Sequence, residues 1–497
     1  MNLLRRRPGF RRLWASGAVS ETGDWLLLIA LPVYVLQLTG STLTTSTVFL
    51  LELAGALAAS PLAGVLADRV DRRRLLIGAS LAQAVLLLPL LAVHGAGTLW
   101  IVYLVTAAQA VLSTANDPVR QALLPAAVGP DELAPAAAQL GIAADLARLV
   151  GGALGGLLLQ AYGLTGVVLA DAGTFVLAAL LLTGWSGSAA TPAITRGVER
   201  PAGPGRDWLA GLVVIRSDRR LLGGVAVGAL LSVAQGMFVV LFVVFVLRRL
   251  GGEAGEVGLL RGIQAVGGIA GGVVLGTIAG RFAPRTLVAA GCFGFGAVCL
   301  AIWNGPALTT AAPLYLVLFA IVGVPIAAGM AGLTTVLLGS TPDEFRGRVM
   351  SSLVVADASA QAFGTLLAGG LVGVVGLLPL LQAHAGLGLA AGAVALVTLG
   401  APRRPVPEEH PGHDRARAVR AAVVGDERVV ALQPPAVAGG PDRPLDHEQV
   451  GAAREAGDDE IPRPYRGSRP DEECVPVPQG RHHRRADHED PAEGPAE

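Results

Sequence analysis

Lysine is missing from this 497-residue chain, so all 38 basic residues are Arg. Charge of either sign is scarce as well. Charged residues make up 15% of the sequence, against about 25% in ordinary soluble domains. Aromatic residues reach only 5%, and there are three cysteines. Cys292 and Cys299 lie seven apart on one apolar stretch, where a single helix cannot bridge them, and Cys474 is near the end. This excludes a disulfide framework and a thiolate metal site. No GxxxxGK[ST] phosphate loop is present, so nucleotide drive would need another subunit. No convergent set of His or Asp on the apolar stretches suggests an enzyme. What the chain does have is apolar bulk: 52% hydrophobic residues, 66 Gly, 32 Pro and a mean hydropathy of +0.57. That composition disfavours a soluble protein, and the even spread of apolar segments disfavours a single anchor.

A spanning helix needs about 20 predominantly apolar residues to cross a core ~30 Å thick. Twelve such segments are expected, near 14–38, 42–67, 75–94, 98–118, 135–161, 163–184, 221–247, 257–280, 286–304, 312–338, 349–373 and 383–401. They are too long and too uniformly apolar for barrel strands. The first is longer than a signal peptide, lacks a small-residue cleavage site and is followed by another span, so it reads as retained. Trp14, Trp100, Trp185 and Trp303 fall near span ends, as an aromatic belt would place them.

Arginine sets the orientation. Arg5, Arg6, Arg7, Arg11 and Arg12 precede the first span, and Arg69, Arg72, Arg73 and Arg74 lie in the next loop on that side. Further loops on the same side carry Arg120, the arginines of 185–220, Arg281, Arg285, Arg346 and Arg348. The opposite loops hold Arg248 and Arg249. Both termini and the middle loop are therefore expected in the cytoplasm.

The halves repeat at an offset of 212 residues. Gly64-Val-Leu-Ala-Asp-Arg69 aligns with Gly276-Thr-Ile-Ala-Gly-Arg281, Pro130-Asp-Glu132 with Pro342-Asp-Glu344, Asp145 with Asp357, and Gly152 with Gly364. A parallel six-plus-six repeat puts a substrate site between the halves near the midplane.

Gly64-Val-Leu-Ala-Asp68-Arg69-Val-Asp-Arg72-Arg73-Arg74 resembles the signature between the second and third helices of the major facilitator superfamily. Asp71 stands where that pattern has its second Gly. Phe10-Arg-Arg-Leu-Trp14, Ser20-Glu-Thr-Gly23-Asp24-Trp25, Asp117-Pro-Val-Arg120 and Arg346-Gly-Arg-Val-Met350 resemble the branch of enterobactin-exporter and macrolide-efflux-type permeases. The resemblance covers residues 10–401. It implies an all-α integral membrane fold of twelve helices in two six-helix bundles. The corresponding domains are 1–184, a middle loop 185–220 with an interfacial helix on Trp208, Leu212 and Ile215, a second bundle 221–402, and a disordered polar tail 403–497. A plain linker is the other reading of the middle loop. The histidines of the tail read as solvated, and no metal or cofactor is expected.

Gly64, Asp68, Arg69, Arg72, Arg73, Asp117 and Arg120 form the implied cytoplasmic gate. Asp68 would cap the helix starting near Val349, and Arg72 would pair with Asp117 when that side is closed. Topology alone is the competing reading. Gly151, Gly152, Gly155 and Gly156 resemble the superfamily's antiporter motif, with Ala147 for its first Gly and Gly152 for its Pro. Close helix packing would explain the same glycines.

Ionisable residues cost at least ~2.5–3.5 kcal/mol at mid-span, so each is a functional candidate. They are Asp24, Glu52, Asp145, Arg148, Asp171, Arg261 and Asp357. Asp145 and Arg148 share a helix face and can pair. Asp24, Glu52 and Asp357 are the candidates for carrying protons, and Arg148 for attracting an anionic group or holding Asp145 charged. Interhelical pairing is the alternative for each. Gln109, Gln235 and Gln264 would be the few polar anchors of a largely apolar cavity. The expected function is proton-coupled efflux of a hydrophobic or amphipathic small molecule, by a monomer in the inner (plasma) membrane, with no nucleic-acid partner. Proton-symport uptake and a non-transporting sensor or scaffold are the rivals.

Overall fold

The structure, a computed structural model, describes residues 2–185, 213–342 and 345–400, without the side chains of residues 2, 61–69 and 130. The gate positions Gly64, Asp68 and Arg69, the pair Asp343 and Glu344, Trp208 and Leu212 of the middle loop, and the tail therefore lie outside the described side chains.

The described residues are helical. After α1 (Asn2–Arg6) come α2 (Pro8–Thr39), α3 (Thr42–Arg69), α4 (Arg72–Leu87), α5 (Leu99–Ser113), α6 (Asn116–Ala127) and α7 (Leu133–Thr183). The second half holds α8 (Arg219–Val244), α9 (Ala254–Ile278), α10 (Pro284–Asn304), α11 (Ala312–Ser340), α12 (Arg346–Val375) and α13 (Leu377–Thr398). Eleven helical segments among the described residues are long and apolar enough to cross a membrane.

Three boundaries differ from those read in the sequence. Spans expected at 135–161 and 163–184 are joined in α7, which runs 51 residues and leaves helical geometry only at Gly163, at φ 65° and ψ −166°. Only glycine adopts such a conformation readily. The last helix begins at Leu377 rather than 383, because Gly376 at φ 90° ends α12 and Pro379 is tolerated in a first turn. The fourth span continues past a turn at Thr114–Ala115 into α6. Asp71, the departure from the loop pattern, is the N-cap of α4: its Oδ1 accepts from the Arg74 amide at 2.8 Å.

Packing follows the repeat. In the first half α2 lies against α7, α3 against α5, and α4 against α7; in the second, α8 lies against α12 and α13, and α11 against α9 and α10. The halves join through α7 with α9 and through α3 with α12. These two seams correspond at the sequence offset. Thr42 and Ser46 lie on Gly369, while Ala254 and Gly258, their counterparts, lie on Gly156 and Gly152. Small residues here let the backbones touch.

Three hydrogen bonds tie the halves at the Gly40 end. Arg248 Nη2 donates to the Gly40 carbonyl at 2.6 Å, Thr42 Oγ1 to that of Gly369 at 3.1 Å, and Gln160 to Glu253.

Of the tryptophans expected in a belt, Trp100 is 62% exposed, whereas Trp185 and Trp303 are buried, at 6% and 1% exposure. Trp303 donates to His384 Nδ1 at 3.2 Å and packs among Phe238, Phe245 and Phe319. A buried indole needs such an acceptor. Ile215, the described member of the proposed interfacial face, is buried with Leu221, Phe345 and Val349.

Candidate functional site

Charged side chains enter the first half where α2 has no side chain to obstruct them. A Cβ on Gly17 would stand 3.0 Å from the Arg120 guanidinium carbon, and one on Gly23 would collide with Asp171 Oδ1 and Thr174 Oγ1. Arg120 from α6 and Asp171 from α7 therefore both reach α2. Arg120 is 7% exposed; its Nη1 donates to Glu21 Oε1 at 2.5 Å and lies 3.4 Å from Asp117 Oδ1. Asp171 is 1% exposed and accepts from Thr174 at 3.3 Å through Oδ1, while Oδ2 meets no protein donor.

These residues line a cavity of about 430 Å³ among α2, α3, α5, α6 and α7. Asp24 and Glu52 open onto it, with Trp25 and Phe175 among its apolar walls. Its walls are mostly apolar, but it holds more charge than the few polar anchors expected: among the described residues five carboxylates (Glu21, Asp24, Glu52, Asp117 and Asp171) share the lining with one cation, Arg120. Gln109 Nε2 donates to the Gln83 carbonyl at 3.1 Å, which fixes the amide and leaves Oε1 without a protein donor.

The second half encloses a cavity of about 500 Å³ that fits the apolar expectation. Leu231, Phe295, Met330 and Leu333 contribute to its walls, and Gln235, Gln361, Ser232 and Asp357 are among its few polar groups. The Asp357 carboxylate accepts from the Ser232 hydroxyl.

At the seam of the halves, Arg148 Nη2 donates to Asp145 Oδ1 at 2.6 Å, so the pair expected from i, i+3 spacing is formed. Arg261 of α9 donates to Gln264 at 2.7 Å and lies over the rings of Trp25 and Phe238 at 5.8 and 4.9 Å. Arg148 lies over the same Trp25 ring at 5.9 Å. Two guanidiniums from opposite halves thus share one indole.

Around the arginine-rich loop, Arg73 donates to the carbonyls of Leu182 and Thr183 at 2.9 and 2.5 Å, capping the C-terminus of α7. Arg72 donates to Ala122 at 3.1 Å, while Asp117 is met by Arg120 rather than Arg72 at the distance given above. Gly151 packs on Thr22 and Trp25, Gly155 on Leu26, and Gly152 and Gly156 on α9. The four glycines of the antiporter-like motif therefore serve two helix contacts at once.

The sequence model of the Major Facilitator Superfamily matches residues 13–300 and 225–439. The chain belongs to this superfamily. It is thus a multi-pass membrane transporter rather than an enzyme, and it acts on a small molecule. Its relatives include the enterobactin exporter EntS of Citrobacter koseri, 26% identical over 437 residues that cover 83% of this chain and 98% of the exporter. Macrolide efflux protein A of Streptococcus pyogenes is 25% identical over 348 residues, 69% of this chain and 84% of that protein. Against the uncharacterized transporter YfiS of Bacillus subtilis the chain matches at 28% identity but spans only 43% of that protein's length. Among solved structures, a bacterial homologue of the iron transporter ferroportin in an inward-facing state has a TM-score of 0.63 at 17% identity, covering 78% of this chain and 98% of that one. A POT family transporter has a TM-score of 0.63 at 13% identity, over 79% and 96%. These likenesses show the shared superfamily fold.

Two carboxylates of the cavity carried little weight in the sequence. Glu21 is three residues from Asp24 on one helix face, a spacing that could have flagged it. Asp171 stood out only as an isolated acid in an apolar span, and nothing local marks Gly23 as its neighbour.

Proposed function

We propose that the chain is a secondary transporter that exports a hydrophobic or amphipathic small molecule across the inner (plasma) membrane, driven by inward proton flow. Taking the two arms of α7 on either side of Gly163 as separate spans gives twelve, six in each half, with both termini cytoplasmic as the arginine distribution requires. Residues 1–184 and 221–402 are then two bundles that rock against each other, each carrying one of the described cavities, and the working unit is a monomer.

The observation that carries this reading is the charge arrangement in the first-half cavity. The one cation among the described residues of the lining, Arg120, is committed to Glu21 and Asp117. Asp24 and Glu52 remain on the wall without a partner of opposite charge among the contacts described. A carboxylate so placed takes up and releases a proton as its access to water changes, which is what coupling demands. Asp357 in the second cavity has only a hydroxyl partner and is the third candidate carrier. Arg148 with Asp145, and Arg261 beyond them, line the seam where a substrate would pass. The relatives that export a siderophore and a macrolide support the outward direction. The hydrogen bonds at the Gly40 end support reading that side as the closed outer one, and the proposed gate of the other mouth is Gly64, Asp68, Arg69, Arg72, Arg73, Asp117 and Arg120.

Inverted vesicles bearing the wild type or Asp24→Asn, Glu52→Gln and Asp357→Asn variants test this. Lipophilic cations, macrolides and siderophore-like compounds should be pumped only under a proton gradient. Substrate-triggered proton release should be lost in at least one variant. Wild-type coupling in all three variants sinks the assignment, and substrate accumulation in the uptake direction reverses the proposed flow.

A further inference from the structure

We propose that the first-half cavity is the seat for a positively charged nitrogen on the transported molecule, and that this nitrogen is a protonated amine bearing N–H groups. The inference rests on the reading of this cavity as part of the transport path and names the chemistry of what enters it.

Charge comes first. Glu21 and Asp24 face the cavity from α2, Glu52 from α3, Asp117 and Arg120 from α6, and Asp171 from α7. With Arg120 spent on Glu21 and Asp117, an entering anion would face a surplus of carboxylates, whereas a cation would find Asp24, Glu52 and Asp171. Gly23 is what brings Asp171 up to the Asp24 turn of α2.

The neutral groups give an independent indication. Gln109 is 9% exposed, and its Oε1 faces no protein donor although its amide nitrogen is already anchored to the Gln83 carbonyl. Asp171 Oδ2 is in the same condition at 1% exposure. Thr106, one turn before Gln109, lines the cavity at 7% exposure with an unpartnered hydroxyl. A carboxylate oxygen and an amide oxygen can only accept hydrogen bonds. The ligand they suit must donate several and carry positive charge, which an alkylammonium does and a quaternary ammonium does not. A bare metal ion fits less well, because among the described residues no three His, Cys, Asp or Glu side chains converge on one point. Phe175, Leu31 and Pro32 on the wall offer an apolar seat for the carbons beside the nitrogen. The volume of about 430 Å³ suits a head group and its first ring.

The test uses the full chain in lipid nanodiscs and three dansyl-aminohexane probes: one ending in a primary amine, its N-acetyl form and its trimethylammonium form. Fluorescence anisotropy reads their binding. The amine should bind at least tenfold more tightly than the N-acetyl probe, with the trimethylammonium form in between. Asp171→Asn, Gln109→Leu and Thr106→Val should each weaken binding of the amine and leave the N-acetyl probe unchanged. Three variants keep the test standing if one fails to fold. Equal binding of the three probes, preference for the neutral one, absence of binding, or an amine preference untouched by the variants overturns the proposal. Proton-driven efflux of a neutral compound in vesicles would keep the transport reading while the ammonium site fell. Amine binding without any proton-dependent efflux would do the reverse.

Discussion

Replacing Gly156 by Ala adds one carbon at the seam between the halves. That Cβ would press on the Ala254 carbonyl oxygen, stand 2.9 Å from its carbonyl carbon and come within 3.1 Å of Gly255 Cα. The obstruction is backbone, which cannot swing aside as a side chain can, so the cost falls in the range of about 1–3 kcal/mol for overpacking. It falls only on the state in which α7 and α9 touch. The equilibrium between the halves should therefore move by about 5- to 150-fold toward the state that parts them at the Gly40 end. Gly173→Ala is the control: it lies in the same long helix, and a Cβ there meets nothing within 4 Å. On helix propensity that control should be neutral or mildly stabilising. The reporter is a single cysteine, Thr42→Cys, in a background lacking Cys292, Cys299 and Cys474. Thr42 is 8% exposed at the matching seam between α3 and α12. Its labelling by a membrane-impermeant maleimide from outside the cell should accelerate with Gly156→Ala and not with Gly173→Ala. An unchanged labelling rate in a folded Gly156→Ala protein would refute the claim that this seam opens during the cycle.

Two further outcomes are expected. Arg120→Ala leaves the half-buried Glu21 without its ion-pair partner and should cost about 1–3 kcal/mol, read as a lowered thermal midpoint in nanodiscs. Adding Glu21→Gln should recover part of that loss, and a double variant no more stable than Arg120→Ala contradicts the pairing. Gly163→Ala forces a Cβ into a backbone at φ 65° and should cost about 1–3 kcal/mol. Gly141→Ala, in open space on the same helix, should cost nothing by the same melting measurement.

What the sequence discloses and what it hides divide along physical lines. Span positions are legible because a bilayer imposes a length and a polarity on each segment separately. The duplication is legible because one offset relates many residues, and it reappears in space as the paired seams of Thr42 with Gly369 and Ala254 with Gly156. Asp145 with Arg148 could be read from helix spacing alone. Glu21 with Arg120 could not, since 99 positions separate them and their contact depends on the missing side chain at Gly17. Trp303 illustrates the opposite error: a tryptophan near a span end suggests an interfacial anchor, yet its partner is His384 on another helix. Hydropathy assigns a residue to a helix but not to a face of it. Arg73, read in the sequence as part of a gate, also has a task no local pattern announces, the capping of α7.

Trp25 borders the acidic cavity and at the same time bears the guanidiniums of Arg148 and Arg261 over its ring. One indole is therefore shared by the acidic cavity of the first half and by two guanidiniums at the seam, of which Arg148 is already paired with Asp145. A smaller residue at position 25 would strip the seam of the aromatic face both guanidiniums use and the cavity of part of its wall in one step, so the grip on cargo and the contact between the halves would change together.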